Sequence, residues 1–288
     1  MSTKQHYTNL SSTILKMLGE LFANGYYDSF TGNCTYRFTN FETLKDGFKY
    51  TCAACRDGRK EQGEILNGRC PLCNLTDPHL PKPLTKVQCI DWSNRFVIIP
   101  NAYPYMQNHI NFISRNHETQ DIIRESKTLK DLFKFYNELG KKKWVLFFNH
   151  LIGNSLNHFH FHATTNTNIH LLNQVIEKTK KSVKRVQIVN LTPCFKSIVV
   201  LDPTIKIINS IIGRIHLNEF LNICWFDRYF IIFLRAFSTV DTIANTLGST
   251  ELAGFIMTCD LEKLENSIKS CKYAFLPIER VKQIIKGL

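Results

Sequence analysis

Three histidines stand at every second position of the segment 147–165, FFNHLIGNSLNHFHFHATT. In an extended strand alternate residues share one face, so His158, His160 and His162 would point to the same side of a sheet. Neighbouring side chains on that face are about 6.6 Å apart along the backbone, which makes a metal shared by all three imidazoles awkward. The spacing favours a division of labour, in which one imidazole acts as a nucleophile and its neighbours orient it, bind phosphate or hold a metal.

The loop before these histidines carries groups that suit an anion. It contains Asn149, Gly153 and Ser155. A glycine-containing turn next to a strand can direct backbone N–H groups at a phosphate. Phosphoryl and nucleotidyl transfer depend mainly on positioning and charge stabilisation, and an imidazole that attacks phosphorus divides one difficult step into two. The loop and the histidines together indicate chemistry at phosphorus.

Four cysteines form two CxxC pairs, Cys52 with Cys55 and Cys70 with Cys73. Two residues between cysteines allow both sulfurs to reach one tetrahedral ion, so this spacing predicts a zinc site with four thiolates. Only the second pair, in RCPLCN, has the turn composition of a knuckle, because the first continues a strand pattern. A second geometry therefore stays open, in which Cys70 and Cys73 share zinc with histidines from elsewhere.

The elements that must position these groups are strands with flanking helices. Strand patterns occur in FVII, HINFIS, KWVLFFN, NHFHFHAT, VQIVN, KSIVVLD, LNICWFD and YFIIFLRAF. The segment TQDIIRESKTLKDLFKFYNELG predicts an amphipathic helix with a break near Ser126 and an end at Gly140. The predicted fold class is α+β with a mostly antiparallel sheet. A linker near 179–184 divides the chain into a catalytic half, 1–178, and a half that completes the substrate site, 179–288.

The bulk composition narrows the class of protein and the class of partner. The chain has 288 residues, of which 44% are hydrophobic, and a formal net charge of +12. These values indicate a globular protein that attracts anions, with nucleic acid ranked below nucleotides because the basic residues form no obvious binding motif. The polar N-terminus predicts no signal peptide, and no apolar run approaches the roughly 18 residues of a membrane span. We therefore expect a cytoplasmic protein.

The segment FFNHLIGNSLNHFHFHATT resembles the signature of the histidine-triad (HIT) superfamily. It is most similar to the branch of galactose-1-phosphate uridylyltransferase, GDP-hexose phosphorylases and dinucleoside-polyphosphate phosphorylases. The upstream segments CPLCN and FVIIPNAYPYMQNHINFISRNHETQ fit the same branch. The resemblance implies a HIT-like antiparallel fold with a zinc knuckle and a second, related or degenerate half. It also implies cleavage of a nucleotide pyrophosphate bond, in an NDP-sugar or a dinucleoside polyphosphate.

The resemblance implies roles for single residues of the triad and its loop. His160 would attack phosphorus and form a covalent nucleotidyl intermediate, whose acceptor would be phosphate, a sugar phosphate or water. The transferred phosphate would contact Asn149, Gly153 and Ser155. His162 departs from the branch, because its transferases and phosphorylases usually carry glutamine there and hydrolases carry histidine. We therefore expect His162 to ease attack by water.

The resemblance also implies a metal site and further substrate contacts. Zinc would be held by Cys70, Cys73, His117 and His158, which supplies the second of the two geometries. Arg56 would lie on a substrate-facing strand, and Arg235 matches a position where relatives keep a basic residue near phosphate. Tyr103 is a candidate for lining a base or sugar pocket.

Three functional hypotheses follow from these features. The first is a nucleotidyltransferase or phosphorylase, and the second is a HIT-type hydrolase or a deadenylase of nucleic-acid ends. The third is a non-enzymatic zinc-ribbon adaptor for nucleic acid or protein, against which the intact triad and its Gly-x-Ser loop argue. A homodimer is compatible with all three.

Overall fold

The computed structural model describes residues 9–23, 38–41, 50–53, 70–74, 89–101, 108–140, 142–153, 156–165, 170–191, 195–253, 266, 269–270, 273 and 275–288. Its strands are β1 (Phe38–Phe41), β2 (Tyr50–Ala53), β3 (Ile90–Asp91), β4 (Phe96–Pro100), β5 (Ile110–Ser114), β6 (Val145–Asn149), β7 (His160–Thr164), β8 (Val186–Leu191), β9 (Phe195–Leu201), β10 (Phe220–Phe226) and β11 (Tyr229–Arg235). Its α-helices are α1 (Leu10–Ala23), α2 (Pro71–Asn74), α3 (Ser126–Leu139), α4 (His170–Thr179), α5 (Ile205–Ile212), α6 (Ser249–Leu252) and α7 (Ile278–Ile285). Two 3₁₀ helices span Gln120–Arg124 and Ile243–Thr246.

Nine of the described strands form a single sheet in the order β3-β4-β5-β7-β6-β10-β11-β9-β8, and each pairing in it is antiparallel. Strands β1 and β2 form a separate antiparallel pair. The predicted α+β class with a mostly antiparallel sheet is confirmed. Among the described residues, no helix is long and apolar enough to cross a membrane.

The sheet repeats one unit twice. Each unit is a hairpin, a helix and a second hairpin: β4-β5, α3 and β6-β7 in the first, β8-β9, α5 and β10-β11 in the second. The two units meet where β6 pairs with β10, and the strand order runs outward from this seam in the same sense on both sides. The predicted division at 178/179 falls at the end of α4, and the sheet is continuous across the two halves.

The two faces of the sheet have different contents because alternate strand residues point to opposite sides. One face packs against helices α1, α3, α5 and α7 and forms the main core. An aromatic stack lies within it, with ring centroids 4.7 Å apart for Phe96 and Phe112 and 4.1 Å apart for Phe112 and Phe135. The other face holds a smaller apolar cluster that includes Leu72 and Ile113. This second face also carries the polar residues of the candidate site.

The helical segment before β6 is broken as its sequence predicts. The 3₁₀ helix Gln120–Arg124 ends at Glu125, whose extended backbone separates it from α3. Helix α3 ends at Gly140, where φ is 81°. The break matters for the site, because it turns the buried Gln120 toward the histidine strand while α3 lies against the core.

Two glycines in helical segments should respond to alanine in opposite directions. Gly140→Ala should lower the free energy of unfolding by about 1 kcal/mol or more, because a side chain strains a backbone with positive φ. Gly19→Ala, at an exposed position inside α1, should raise it by roughly 0.5–1 kcal/mol. An added Cβ meets no atom within 4 Å at either position, so backbone conformation alone decides the sign. Urea unfolding of both variants measures the difference, and a shared sign would contradict the assigned backbone at Gly140.

Candidate active site and metal centre

A row of polar side chains crosses the second face of the sheet. It begins with Asn111 on β5 and continues through His160 and His162 on β7 and Asn149 on β6. It ends with Asn222 on β10 and Arg235 on β11. Direct strand partners share a face, and the pairs Asn111↔His162 and Asn222↔Asn149 belong to this row. The predicted nucleophile and the predicted phosphate-binding asparagine therefore lie on one surface.

The backbone of the preceding residue fixes the ring of His160. Its Nδ1 lies 2.7 Å from the carbonyl oxygen of His158. Two acceptors would repel each other at that distance, so Nδ1 carries the proton and donates to the carbonyl. The other ring nitrogen, Nε2, then has the free lone pair. This tautomer is the one that a nucleophilic or basic imidazole requires.

Gln120 reinforces this arrangement from the 3₁₀ helix. Its Nε2 donates to the same His158 carbonyl oxygen at 3.0 Å, and its Oε1 accepts from the backbone N–H of His160 at 3.4 Å. The Gln120 amide nitrogen also lies 3.0 Å from Nδ1 of His160. Nδ1 does not accept from it, because Nδ1 carries a proton that it donates to the His158 carbonyl oxygen. Burial lowers the pKa of His160 to about 4, so the imidazole is neutral near pH 7.

His162 is half-buried and lies against two other polar residues, His109 and Asn101. Its Nδ1 lies 3.0 Å from Nε2 of His109, and Asn101 Nδ2 lies 3.3 Å from the same His109 nitrogen. Burial, with a smaller contribution from His160, lowers the pKa of His109 to about 3. The His162 and His160 rings meet edge to face with centroids 5.0 Å apart. The structure thus places a neutral, hydrogen-bonded His109 behind His162.

The loop after β6 is held by residues of the C-terminal half. Asn149 Oδ1 accepts from Asn222 Nδ2 at 2.8 Å and from the backbone N–H of Ser249 at 2.6 Å. Gly153 has φ 74°, and its N–H donates to the carbonyl oxygen of Asn245 at 3.1 Å. A Cβ at Gly153 would lie 2.4 Å from the carbonyl oxygen of Leu247. Only glycine fits this close approach.

Arg235 lies in the row but is fully buried, so it is not the surface charge that a strand end would suggest. Its guanidinium donates to Asn222 Oδ1 and to the carbonyl oxygens of Ala244 and Leu247. Substrate contact by Arg235 stays a prediction, and its contacts here are to the protein.

Several predicted site residues lie outside the described part of the chain. These are Arg56, Tyr103, Ser155 and Cys55. Cys52 lies on β2, opposite Thr39, but its side chain is not among those described. The roles predicted for them stay predictions.

The structure brings together the four residues of the mixed metal site. The ligand atoms of Cys70, Cys73, His117 and His158 all lie within 4.8 Å of one another. His158 Nδ1 is 3.4 Å from each sulfur, and His117 Nδ1 is 3.2 Å from the Cys73 sulfur. Ligands around a tetrahedral zinc ion would have sulfur and nitrogen about 3.5 Å apart, so the donor set fits such an ion.

The hydrogen bonding of His158 also fits a metal ligand. Its Nε2 donates to the carbonyl oxygen of Ser114 at 2.8 Å, which leaves Nδ1 to face the two sulfurs. Metal-binding histidines usually donate their second N–H to such a partner. With its lone pair toward the sulfurs, Nδ1 can bind a metal, and the two cysteines would bind the same ion as thiolates.

Comparisons with known proteins found one family model and several solved structures that match this chain. A family model described as a domain of unknown function, DUF4922, matches residues 47–165, and no curated protein matches the chain. Three crystal structures of yeast Ap4A phosphorylase Apa2 each match 92% of this chain. The first has a TM-score of 0.63, 14% sequence identity and 94% of its own chain covered. For the complex with AMP the TM-score is 0.62, the identity 16% and the coverage 96%, and for the complex with Ap4A they are 0.63, 15% and 98%. The chain shares their fold. The antiparallel α+β fold that the resemblance implied is thereby confirmed.

The sequence predicted no role in the site for Gln120, Asn222 or His109. Each is a buried polar residue at or next to an apolar strand or helix, and such residues require hydrogen-bond partners. That requirement was the available signal. It could not name the partners, which lie 40 positions away for Gln120 and His160 and 73 for Asn222 and Asn149.

Metal content separates the mixed site from the four-cysteine alternative. Cys70→Ser and His117→Ala should each reduce bound zinc from about one ion per chain to a small fraction, since each removes one of four ligands. Cys52→Ser should leave the zinc content unchanged, and Cys89→Ser, an exposed cysteine outside the cluster, is the control. Elemental analysis of purified protein gives the answer. Loss of zinc in Cys52→Ser with retention in His117→Ala would support the four-cysteine site instead.

Proposed function

We propose that this protein is a phosphorylase that cleaves the nucleotide pyrophosphate bond of a dinucleoside polyphosphate through His160. The observation that carries the proposal is the 2.7 Å contact between His160 Nδ1 and the His158 carbonyl oxygen, which leaves Nε2 as a neutral nucleophile. The fold, shared with a phosphorylase whose structures contain AMP and Ap4A, supports this substrate class. The net charge of +12 also favours a polyanionic ligand.

In the first step, Nε2 of His160 attacks the phosphorus that bears the nucleoside. A nitrogen–phosphorus bond forms as the bond from that phosphorus to the bridging oxygen breaks, and the remaining polyphosphate leaves with the electron pair. Nδ1 keeps its proton throughout, and the ring becomes cationic. The His158 carbonyl oxygen, already hydrogen-bonded to Nδ1, stabilises this positive charge without reorganisation.

In the second step, an acceptor oxygen attacks the same phosphorus and the electron pair returns to Nε2. Inorganic phosphate has an ionised oxygen, so its attack requires no base. Water must lose a proton as it attacks, which calls for a nearby neutral imidazole. The proposal gives that work to His162, whose ring meets the His160 ring edge to face and is hydrogen-bonded to His109, and His162 thereby governs the ratio of hydrolysis to phosphorolysis.

Zinc, in this proposal, is held by Cys70, Cys73, His117 and His158. A metal with four protein ligands has no open position, and its contribution there is structural. His158 links this cluster to the chemistry, because its ring faces the sulfurs and its carbonyl oxygen orients His160. We expect that a correctly oriented His158 is what the cluster provides to catalysis.

Trapping of the intermediate tests the role of His160. Incubation with labelled dinucleoside polyphosphate or NDP-sugar without phosphate should leave a label on the protein, and phosphate should release it as a nucleoside diphosphate. His160→Ala and His160→Asn should abolish the label and lower turnover by at least about 10³-fold, because the nucleophile is lost. His216→Ala, at an exposed histidine of the C-terminal half, is the control. Label retained in both His160 variants would remove that residue from the role.

Turnover assays with adenylylated nucleic-acid ends, dinucleoside polyphosphates and NDP-sugars separate the proposal from the deadenylase hypothesis. Turnover of those ends, with none of dinucleoside polyphosphates or NDP-sugars, would favour the deadenylase. Failure to turn over any of the three, with zinc bound and the fold intact, would favour the non-enzymatic adaptor.

His162→Gln should shift the acceptor from water to phosphate. Glutamine retains a hydrogen-bonding side chain but cannot accept a proton, so hydrolysis should fall roughly tenfold or more while phosphorolysis changes little. The measurement is the ratio of nucleoside monophosphate to nucleoside diphosphate formed at a fixed phosphate concentration. An unchanged ratio would show that His162 does not act on water.

A further inference from the structure

We propose that Asn222 and Arg235 are positioning residues that hold Asn149 and the Gly153 loop in the orientation required for transfer. The proposal rests on the proposed function, in which that loop contacts the transferred phosphate. It assigns a positioning task to the C-terminal half, in which none of the triad histidines and none of the four proposed metal ligands lies.

The side-chain oxygen of Asn149 already accepts two hydrogen bonds. Asn222 Nδ2 donates to it at 2.8 Å and the Ser249 backbone N–H at 2.6 Å. With two donors on its oxygen, the Asn149 amide cannot rotate by 180° without losing both bonds. The amide nitrogen is therefore the end left to serve as a donor, and a donor is what a phosphate oxygen requires.

Arg235 determines the orientation of the Asn222 amide. Arg235 can only donate, and its Nη1 lies 3.0 Å from Asn222 Oδ1, so that atom is the amide oxygen. The Asn222 amide nitrogen then faces the other way. Its two hydrogens go to Asn149 Oδ1 and to the carbonyl oxygen of Ile152 at 3.0 Å. Asn222 thus ties both ends of the turn between Asn149 and Gly153.

Arg235 also links this turn to a second loop, which contains Ala244 and Leu247. Besides Asn222, its guanidinium donates to the carbonyl oxygen of Leu247 at 2.7 Å and to that of Ala244 at 2.6 Å. The guanidinium is fully buried, and its carbon lies 6.0 Å from the centroid of the Phe275 ring. A planar fork that serves three acceptors at once can be supplied by arginine and not by lysine.

The second loop also contacts Gly153 directly, which completes the hydrogen-bond network around the turn. The loop that Arg235 holds contains Asn245, whose carbonyl oxygen accepts from the Gly153 N–H, and Leu247, which leaves no room for a Cβ there. It continues into Ser249, which donates to Asn149. The two loops therefore fix each other, with Arg235 and Asn222 between them. Such pre-organisation contributes to rate because the donors need not move as charge develops.

Asn222→Asp tests this inference with a change of almost equal size. The new carboxylate still accepts from Arg235, but it presents an oxygen, not an N–H, to Asn149 Oδ1. The Asn149 amide should turn its nitrogen toward that oxygen and lose its donor at the substrate. We expect kcat to fall roughly 10²-fold, as when one charge-stabilising donor is removed, while KM changes less than about threefold.

A double-mutant cycle separates positioning from general damage. If Asn222 acts through Asn149, Asn222→Asp should change kcat less than about threefold in an Asn149→Ala background. Arg235→Lys is the second variant, and its expected effect has the same direction and the same dependence on Asn149. Asn209→Asp is the matched control, because Asn209 donates to Ser126 Oγ on a helix outside the site, and it should leave kcat unchanged.

Hydrogen–deuterium exchange of the free protein tests the same inference without turnover. Amides of the turn 149–153 should exchange faster in Asn222→Asp and Arg235→Lys than in wild type or Asn209→Asp. Unchanged exchange in both, or kcat losses that simply add to that of Asn149→Ala, would overturn the proposal. If the wild type turns over no nucleotide substrate, the proposed function fails, and the exchange measurement still decides whether these residues hold the loop.

Discussion

The pairing of β6 with β10 is the contact on which the rest of the site depends. It joins two hairpin–helix–hairpin units into one sheet and places Asn149 directly opposite Asn222. Because paired residues of antiparallel strands point to the same face, the register of this seam decides whether the polar side chains of the two units meet. A shift of one residue would turn Asn222 into the helical core and bring Ile223 or Leu221 to the site.

His158 occupies the second position of comparable importance, because it belongs to two groups at once. Its ring, oriented by the Ser114 carbonyl oxygen, faces the sulfurs of Cys70 and Cys73. Its own carbonyl oxygen selects the tautomer of His160. The ring that faces the sulfurs and the carbonyl oxygen that orients His160 therefore belong to the same residue. This proximity is a physical reason for the proposed metal cluster to lie beside the proposed nucleophile, His160.

The parts of the site that sequence could predict are those set by local periodicity. Alternation along one strand placed His160 and His162 on one face and Phe161 on the other, and the short CxxC spacing identified Cys70 and Cys73 as neighbours. The helix break near Ser126 and the end at Gly140 also followed from local signals. By contrast, the buried environment of Arg235 was not evident, since a strand-end arginine is ordinarily exposed.

The sequence by itself determined the strand faces and the fold class, because these depend on spacings of two to four residues, and its resemblance to a known family indicated His160 as the candidate nucleophile. Only the tertiary structure decided which partners complete them: Gln120 behind His160, and Asn222 with Arg235 behind Asn149. These contacts join residues 13 to 73 positions apart. Sheet register and the burial of polar groups determine such pairs, and both are properties of the folded chain, not of any one segment.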